Sequence, residues 1–200
     1  MILKETIEFG RYPQSDKNGC YKEPIEWYIL DCKGKLMLIS KLALDCRQYH
    51  NEEVEDITWE TSFIRYWLNH VFFSEAFNIE EKSFIHNNYI SADKNIWYRT
   101  DPGKDTRDAV FLLSINEVEK YLPSDIDRQC MPTEYAVNQG AWKGFEGNCW
   151  WWLRTPGFAD NFAAFIRSGG GIRDLGADVF YKKGAIRPAI YVDENLLCQK

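Results

Sequence analysis

Six cysteines and three histidines are the side chains of this chain best suited to covalent or metal chemistry. They contain no Cys-x-x-Cys pair and no His-x-x-x-His spacing, the patterns on which zinc sites commonly rely. We therefore predict reduced thiols, no metal site, and histidines that lie on the surface or cap helices. The residues are Cys20, Cys32, Cys46, Cys130, Cys149, Cys198, His50, His70 and His86.

The serines and the 30 carboxylates carry no hydrolytic signature. A Gly-x-Ser-x-Gly nucleophile elbow is absent, and no spacing selects the carboxylate pair that glycoside hydrolysis requires. Several carboxylates lie between residues 52 and 60, but the turn glycine and regular alternation of a calcium loop are missing there. That segment predicts a solvated loop leading into a helix. The sequence predicts no catalytic residue and no cofactor.

Composition limits the classes of partner. The formal net charge is -6, without a basic half, which argues against a nucleic-acid-binding protein. No apolar run reaches the roughly 18 residues of a membrane-spanning helix, and the first residues do not resemble a signal peptide. We expect one domain over residues 1–200, cytoplasmic as the sequence stands, with association with a cell surface or virion left open. The oligomeric state is also open.

The elements that position any site are predicted to be β at the two ends of the chain and helical between them. β-rich runs at 26–30 and 36–40 flank a glycine-containing turn and predict a hairpin. Residues 9–14 predict an edge strand that ends at a proline. Residues 110–113 form an apolar run of strand length, and the polar stretch from 87 to 107 predicts a loop.

Helices are predicted from apolar spacing and from capping residues. A stripe at i, i+3, i+4 and i+7 predicts a core-facing helix with Ile64, Trp67, Leu68 and Val71 buried. Three shorter helices are predicted, from Asn78 to Ile85, from the capping box Ser114–Glu117 to Leu122, and from Pro132 to Asn138 with Gly140 as its left-handed cap.

The C-terminal segment predicts strands around an exposed loop. Alternation places Trp150 and Trp152 on one face of a strand and Trp151 on the other, and we expect all three to be buried. Residues 168–171, Ser-Gly-Gly-Gly, predict a flexible hairpin turn. A final strand over residues 186–192 contains a proline, which predicts a sheet edge, a bulge, or a position at which the missing N–H faces no partner.

Six blocks of sequence are distributed along most of the chain. They are F-G-R-Y-P-Q (9–14), P-I-E-W-Y-I-L-D (24–31), L-I-S-K-L-A-L-D-C-R-Q-Y (38–49), W-E-T-S-F-I-R-Y-W-L-N (59–69), V-F-L-L-S-I-N-E-V-E-K-Y (110–121) and the closing segment with W-W-L-R-T-P-G (151–157). In this order they resemble one uncharacterised bacterial domain family, often found within larger surface or secreted proteins. That family carries a W-W-L-R-[ST]-P-G signature and a terminal G-x-R-P-A.

The terminal pattern is in turn similar to the C-type lectin-like fold of formylglycine-generating enzymes and of the variable proteins of diversity-generating retroelements. This similarity implies an α+β domain, with short helices packed around a twisted antiparallel sheet. It also implies that the residues between Arg154 and Phe180 project from a rigid frame as a recognition surface. The binding residues expected there are Phe158, Asp160, Asn161, Phe162, Arg167, Arg173, Asp174, Asp178 and Phe180.

We therefore expect a non-catalytic module that recognises a protein or glycan ligand, of phage or surface-system origin. Calcium-dependent sugar binding is not expected, because a Glu-Pro-Asn loop is absent. Two alternatives stay open, an enzyme distantly related to formylglycine-generating oxidases and a structural domain of a larger assembly. For the enzyme, the spacing of Cys130 and Cys149 does not match the closely set cysteine pair. Arg154 and Arg187 are expected to fix loop geometry through hydrogen bonds.

Overall fold

The computed structural model describes residues 5–199 and the side chains of residues 5–196, and most of its strands belong to two five-stranded sheets. In chain order the strands are β1 (Thr6–Tyr12), β2 (Glu23–Asp31), β3 (Leu36–Ser40), β4 (Asp45–Gln48), β5 (Asn88–Ile90), β6 (Thr106–Asp108), β7 (Val110–Phe111), β8 (Trp151–Pro156), β9 (Phe162–Ile166), β10 (Ile172–Asp178), β11 (Lys183–Ile186) and β12 (Ala189–Val192). The helices are short. They are α1 (Phe63–Trp67), α2 (Phe73–Ala76), α3 (Ile79–Phe84), α4 (Ile115–Tyr121), α5 (Asp125–Arg128) and α6 (Glu134–Gln139), with a π-helical turn at Leu68–Phe72 and 3-10 turns at Phe145–Gly147 and Glu194–Gln199.

The first sheet has the order β1-β2-β3-β12-β7, and its neighbouring strands are antiparallel. The predicted hairpin is confirmed as β2 and β3, and the predicted edge strand is confirmed as β1. Every residue of β3 is buried, so this sheet carries much of the hydrophobic core. The second sheet has the order β10-β9-β8-β11-β4 and is antiparallel except where β11 runs parallel to β8.

The prediction of one strand over residues 186–192 is wrong, because the chain changes sheets within it. β11 belongs to the second sheet and β12 to the first, with Arg187 and Pro188 between them. Of the three positions expected for Pro188, the structure shows the one at which its missing N–H has no ladder partner to lose. Its missing N–H lies outside both strand ladders, and its carbonyl accepts the N–H of Ser40 at 3.0 Å. The strand-like residue pattern continues through the crossover, so the sequence gives no sign that the chain changes sheets there.

The predicted helical stripe is confirmed at its first three positions and wrong at the fourth. Ile64, Trp67 and Leu68 are buried, but Val71 is 37% exposed and Phe72 is buried in its place. The π-helical turn at Leu68–Phe72 holds more residues per turn than an α-helix, which shifts the buried position by one.

Capping chemistry was predicted correctly. Asn78 and Glu81 form a reciprocal capping box at α3, as Ser114 and Glu117 do at α4. Gly140 ends α6 in the left-handed conformation, although that helix begins at Glu134, two residues after the predicted start. The segment expected to be a loop from 87 to 107 contains the two-stranded sheet of β5 and β6.

The architecture is therefore a mixed α+β fold with antiparallel sheets and short helices, in which two sheets replace the single one expected from sequence. Among the residues described, no helix has the length and apolar character needed to cross a membrane.

Candidate functional site

An open groove of about 410 Å³ lies over the strands β8, β9 and β10 of the second sheet. We call it the aromatic groove. Its volume falls in the range of about 300–1,000 Å³ that is typical of small-molecule sites. No carboxylate is among the described residues that line it, which are Trp142, Trp150, Phe165, Arg167, Ser168, Ala177 and Lys182.

Strand alternation places the tryptophans that build the groove. Trp150 and Trp152 contact each other edge to face, with ring centroids 4.8 Å apart, and Trp150 makes a second such contact with Phe165 at 5.0 Å. Trp152 is fully buried and donates its indole N–H to the carbonyl of Arg47 at 3.1 Å. The expectation that all three tryptophans are buried holds for Trp151 and Trp152, whereas Trp150 is half-buried and forms a wall.

Gly184 of β11 allows this arrangement. A Cβ atom at this position would lie 2.5 Å from Nε1 of Trp152 and 2.7 Å from the ring of Trp150. A larger residue at position 184 would therefore displace two rings that neighbouring side chains hold in place. The ring faces that Trp150 and Phe165 turn to the groove are therefore fixed before any ligand arrives.

Trp142 completes the aromatic lining from a loop distant in sequence. Its side chain is 66% exposed. The same loop is attached to the β9–β10 hairpin, because the N–H of Phe145 donates to the hydroxyl of Ser168 at 3.3 Å. The loop and hairpin together hold Trp142 beside the sheet.

Three cations surround these rings without a partner. Arg167 and Lys182 line the groove, and Arg173 lies directly across from Phe165 in the β9–β10 register. In the part of the chain that the structure describes, none of the three side chains forms an ion pair or a hydrogen bond. The groove is thus a local site of positive charge on a protein whose net charge is -6.

The nine residues expected to bind do not form one surface. Arg167 lines the groove, and Arg173 lies across from Phe165 on the neighbouring strand. Phe158 and Phe162 contact each other at the β8–β9 turn, with ring centroids 4.5 Å apart, and Tyr98 packs on Phe158.

Three of the remaining five expected residues support turns. Asn161 donates to Asp178 at 3.2 Å, and Asp178 accepts the backbone N–H of Phe180 at 2.8 Å. The ring of Phe180 packs edge to face on His50.

The other two, Asp160 and Asp174, make contacts through their backbone carbonyls. Asp160 accepts the N–H of Ile57 at 3.0 Å, and Asp174 accepts the side-chain amide of Asn95 at 2.8 Å. Of the described residues that line the groove, only Arg167 was among those expected to bind, and the sequence did not predict this role for Trp142, Trp150, Phe165, Ser168, Ala177 or Lys182. A lone tryptophan in a glycine-flanked loop was the available signal for Trp142, and Lys182 had none.

Arg154 has the role expected from sequence. Its buried guanidinium donates to the carbonyl of Leu112 at 2.9 Å and to that of Ser91 at 3.2 Å. It also pairs with Glu117, to Oε1 at 3.1 Å, and with Asp93 at 3.6 Å. These contacts tie β8 to α4 and the loop after β5, so Arg154 supports the frame.

The histidines fit their predicted places. Nδ1 of His50 accepts the N–H of Phe63 at 3.2 Å, so this side chain caps α1. Burial lowers the pKa of His50, which favours the neutral form that can accept this bond. His70 and His86 are exposed.

Cys130 and Cys149 meet in the core, 19 positions apart in the chain. The N–H of Cys149 donates to the carbonyl of Cys130 at 2.8 Å, and both thiols are buried. The five cysteines whose side chains are described are free thiols, while Cys198 lies outside them. Neither Cys130 nor Cys149 lines the aromatic groove.

The pKa values of this pair are shifted in opposite directions. Burial raises the pKa of Cys130, but a hydrogen bond from Cys149 and the positive charge of Arg187 outweigh it and bring the pKa to about 7. The hydrogen bond to Cys130 and burial raise the pKa of Cys149 well above its ordinary value. The pair therefore loses one proton near neutral pH and keeps the second.

This titration predicts a dependence of stability on pH. The folded-state pKa of Cys130 lies below its ordinary value of 9.0, so its contribution to stability is present above pH 9 and is lost as pH falls through 7. We expect wild type to gain about 2 kcal/mol of unfolding free energy between these limits relative to Cys130→Ser. Urea denaturation under reducing conditions measures it.

Cys46→Ser is the matched control, because burial raises the pKa of that thiol to about 12 and it stays protonated over this interval. Equal pH slopes for wild type and Cys130→Ser would show that Cys130 is not a thiolate in the folded protein.

A family model described as "Domain of unknown function (DUF6273)" matches residues 33–194. The match includes the complete second sheet and every residue of the aromatic groove. Neither a curated protein nor a solved structure matches the chain.

Proposed function

Since the chain belongs to the DUF6273 family, whose description names no activity, we propose a function from the groove itself: a non-catalytic recognition module that binds its ligand there. The observation that carries the proposal is the groove's lining, with rings of Trp142, Trp150 and Phe165 beside unpaired cations. Aromatic rings offer a large contact area at a small loss of side-chain entropy.

The C-type lectin-like fold and the resemblance to the bacterial family with the W-W-L-R-[ST]-P-G signature belong to the same proposal. β8, with Arg154, and the crossover from β11 to β12, with Arg187, bracket the segment that forms β9, β10 and the hairpin between them. This arrangement is consistent with a rigid frame that presents a variable surface. The expected setting is the cytoplasm or the surface of a cell or virion.

The size of the groove favours a small part of a glycan or protein as the bound group. A stable protein–protein interface buries about 800 Å² on each partner, mostly over flat surfaces. A groove of about 410 Å³ with aromatic walls instead accepts a single ring or a short chain of rings.

Trp142→Ala is expected to weaken binding by at least about tenfold, because Trp142 supplies an exposed ring face to the groove. Trp97→Ala is the matched control. Trp97 is 72% exposed and does not line the groove. The measurement is binding of the labelled protein to arrays of glycans and of purified proteins, followed by titration of each positive ligand against wild type and both variants.

The two tryptophans also separate two locations for the site. Loss of binding in Trp97→Ala but not in Trp142→Ala would place the site at the β8–β9 turn, which contains Phe158. Tyr98, the neighbour of Trp97 in the chain, packs on Phe158 there. Binding unaffected by either variant, or absent from both arrays, would remove the proposed function.

A further inference from the structure

We propose that the ligand of the aromatic groove is an oligosaccharide of carboxylated sugars. This inference rests on the proposed function and specifies the chemistry of its ligand. It follows from three observations. Aromatic ring faces line the groove, the cations beside them have no partner, and the adjacent edge strand already has hydrogen-bond partners.

The ring faces provide the apolar part of the recognition. Trp150 and Phe165 meet at an interplanar angle of 65°, so they form two walls of a shallow corner rather than one flat stack. Trp142 adds an exposed ring from the facing loop. Sugar rings have flat C–H faces that pack on the negatively charged face of an aromatic ring, as partial positive charge does generally.

The cations provide the electrostatic part of the recognition. Arg167 stands at the hairpin end of β10 and Lys182 follows the opposite end of that strand, yet both line the groove. A cation at each end fits a chain whose successive rings each carry one negative charge. Guanidinium groups bind carboxylates in a bidentate geometry, which makes Arg167 the stronger of the two anchors.

An acidic peptide fits the same charges less well. A peptide that binds at a sheet edge gains its affinity by adding a strand, and β10 is the edge strand of the second sheet. The carbonyls of Asp174 and Leu175 in β10 already accept hydrogen bonds from Asn95 and Phe158 of the same chain. The middle of this edge is therefore not free for a peptide backbone.

Calorimetric titration with trigalacturonate and trimannuronate tests the inference, with the methyl ester of each as its uncharged counterpart. We expect at least one acid form to bind at least about tenfold more tightly than its ester. We expect its affinity to fall with added salt, because exposed charges are screened. Arg167→Gln should remove most of the preference for the acid over the ester and leave the part that Lys182 supplies, whereas Arg99→Gln, at an exposed arginine outside the groove, should leave the affinity unchanged.

The outcomes separate this inference from the proposed function. Equal binding of acid and ester, no binding of either acid, or equally tight binding of poly-glutamate would overturn the carboxylated sugar. The proposed function would still stand if a neutral glycan or a protein on the arrays bound in a Trp142-dependent way. Loss of every Trp142-dependent signal would overturn both.

Discussion

Arg187→Ala is expected to lower the free energy of unfolding by about 3–5 kcal/mol. Arg187 is fully buried, and its guanidinium donates to the carbonyl of Ser40 at 3.0 Å and to that of Arg128 at 3.4 Å. It also lies 5.1 Å from the centre of the Trp151 ring. Truncation would leave a cavity and remove a donor from two buried carbonyls, of which that of Arg128 keeps the indole N–H of Trp151 at 3.0 Å, at the point where the chain crosses between the two sheets.

The charge of Arg187 makes this site unusual. No carboxylate within 4.0 Å of Arg187 occurs among the described residues, and its Nη2 has no hydrogen-bond partner there. A buried cation needs compensation. The face of Trp151 and the two carbonyls supply part of it. The charge of Arg187 also lowers the pKa of Cys130, so Arg187 and Cys130 should be energetically coupled.

Two further variants distinguish charge from geometry. Arg187→Lys keeps the charge but lacks the planar fork that reaches two carbonyls, so most of the loss should remain. Arg173→Ala, at a half-buried arginine without polar contacts, should change stability by less than about 0.5 kcal/mol. Urea denaturation gives all three values. A midpoint for Arg187→Ala equal to that of wild type would mean that Arg187 does not hold the crossover.

Local chemistry in the sequence was sufficient to predict the element boundaries set by caps. The capping boxes at Asn78 and Ser114 and the glycine after α6 each depend on residues within four positions of one another. Such contacts are specified by residue type and spacing alone.

The sheet arrangement was not predictable in the same way, because it depends on contacts between distant segments. β12 pairs with β3 and β7, which lie far from it in the chain and from each other. Nothing in the local pattern at Arg187 and Pro188 records that pairing. The π-helical turn was hidden for a related reason, since Asn69 stabilises it through hydrogen bonds to Val110 on β7.

The candidate site was predictable in part, less so than the helix caps and more so than the sheet pairing. From the segment that the sequence indicated, Arg167 lines the groove and Arg173 lies across from its Phe165 wall. Phe158 and Phe162, expected in the same surface, are held at the opposite turn of β9. Trp142 reaches the groove only because its loop is attached to the hairpin at Ser168. Because the site combines two loops that are distant in sequence, the residue pattern of neither loop predicts it alone.

That hairpin was predicted to be flexible, but it is docked on α5. The carbonyl of Gly170 accepts a hydrogen bond from Nη1 of Arg128 at 3.2 Å. The Gly170 Cα approaches so closely that a Cβ atom would lie 1.9 Å from the backbone oxygen of Asp125. Gly170 therefore serves close packing on α5, in addition to the turn itself.

Gly170→Ala is accordingly expected to lower the free energy of unfolding by about 3 kcal/mol or more, because the clash is with backbone and its φ is +91°. Gly34→Ala measures the cost of a positive φ alone. Gly34 has a φ of +73°, and no atom lies within 4 Å of the position that a Cβ would occupy, so we expect the free energy of unfolding to fall by about 1 kcal/mol. Because the hairpin carries Arg167 and Ser168, Gly170→Ala should also weaken ligand binding, while Gly34→Ala should not. Equal losses of stability in the two variants would show that the hairpin is not packed on α5, and the groove would then lack its fixed wall.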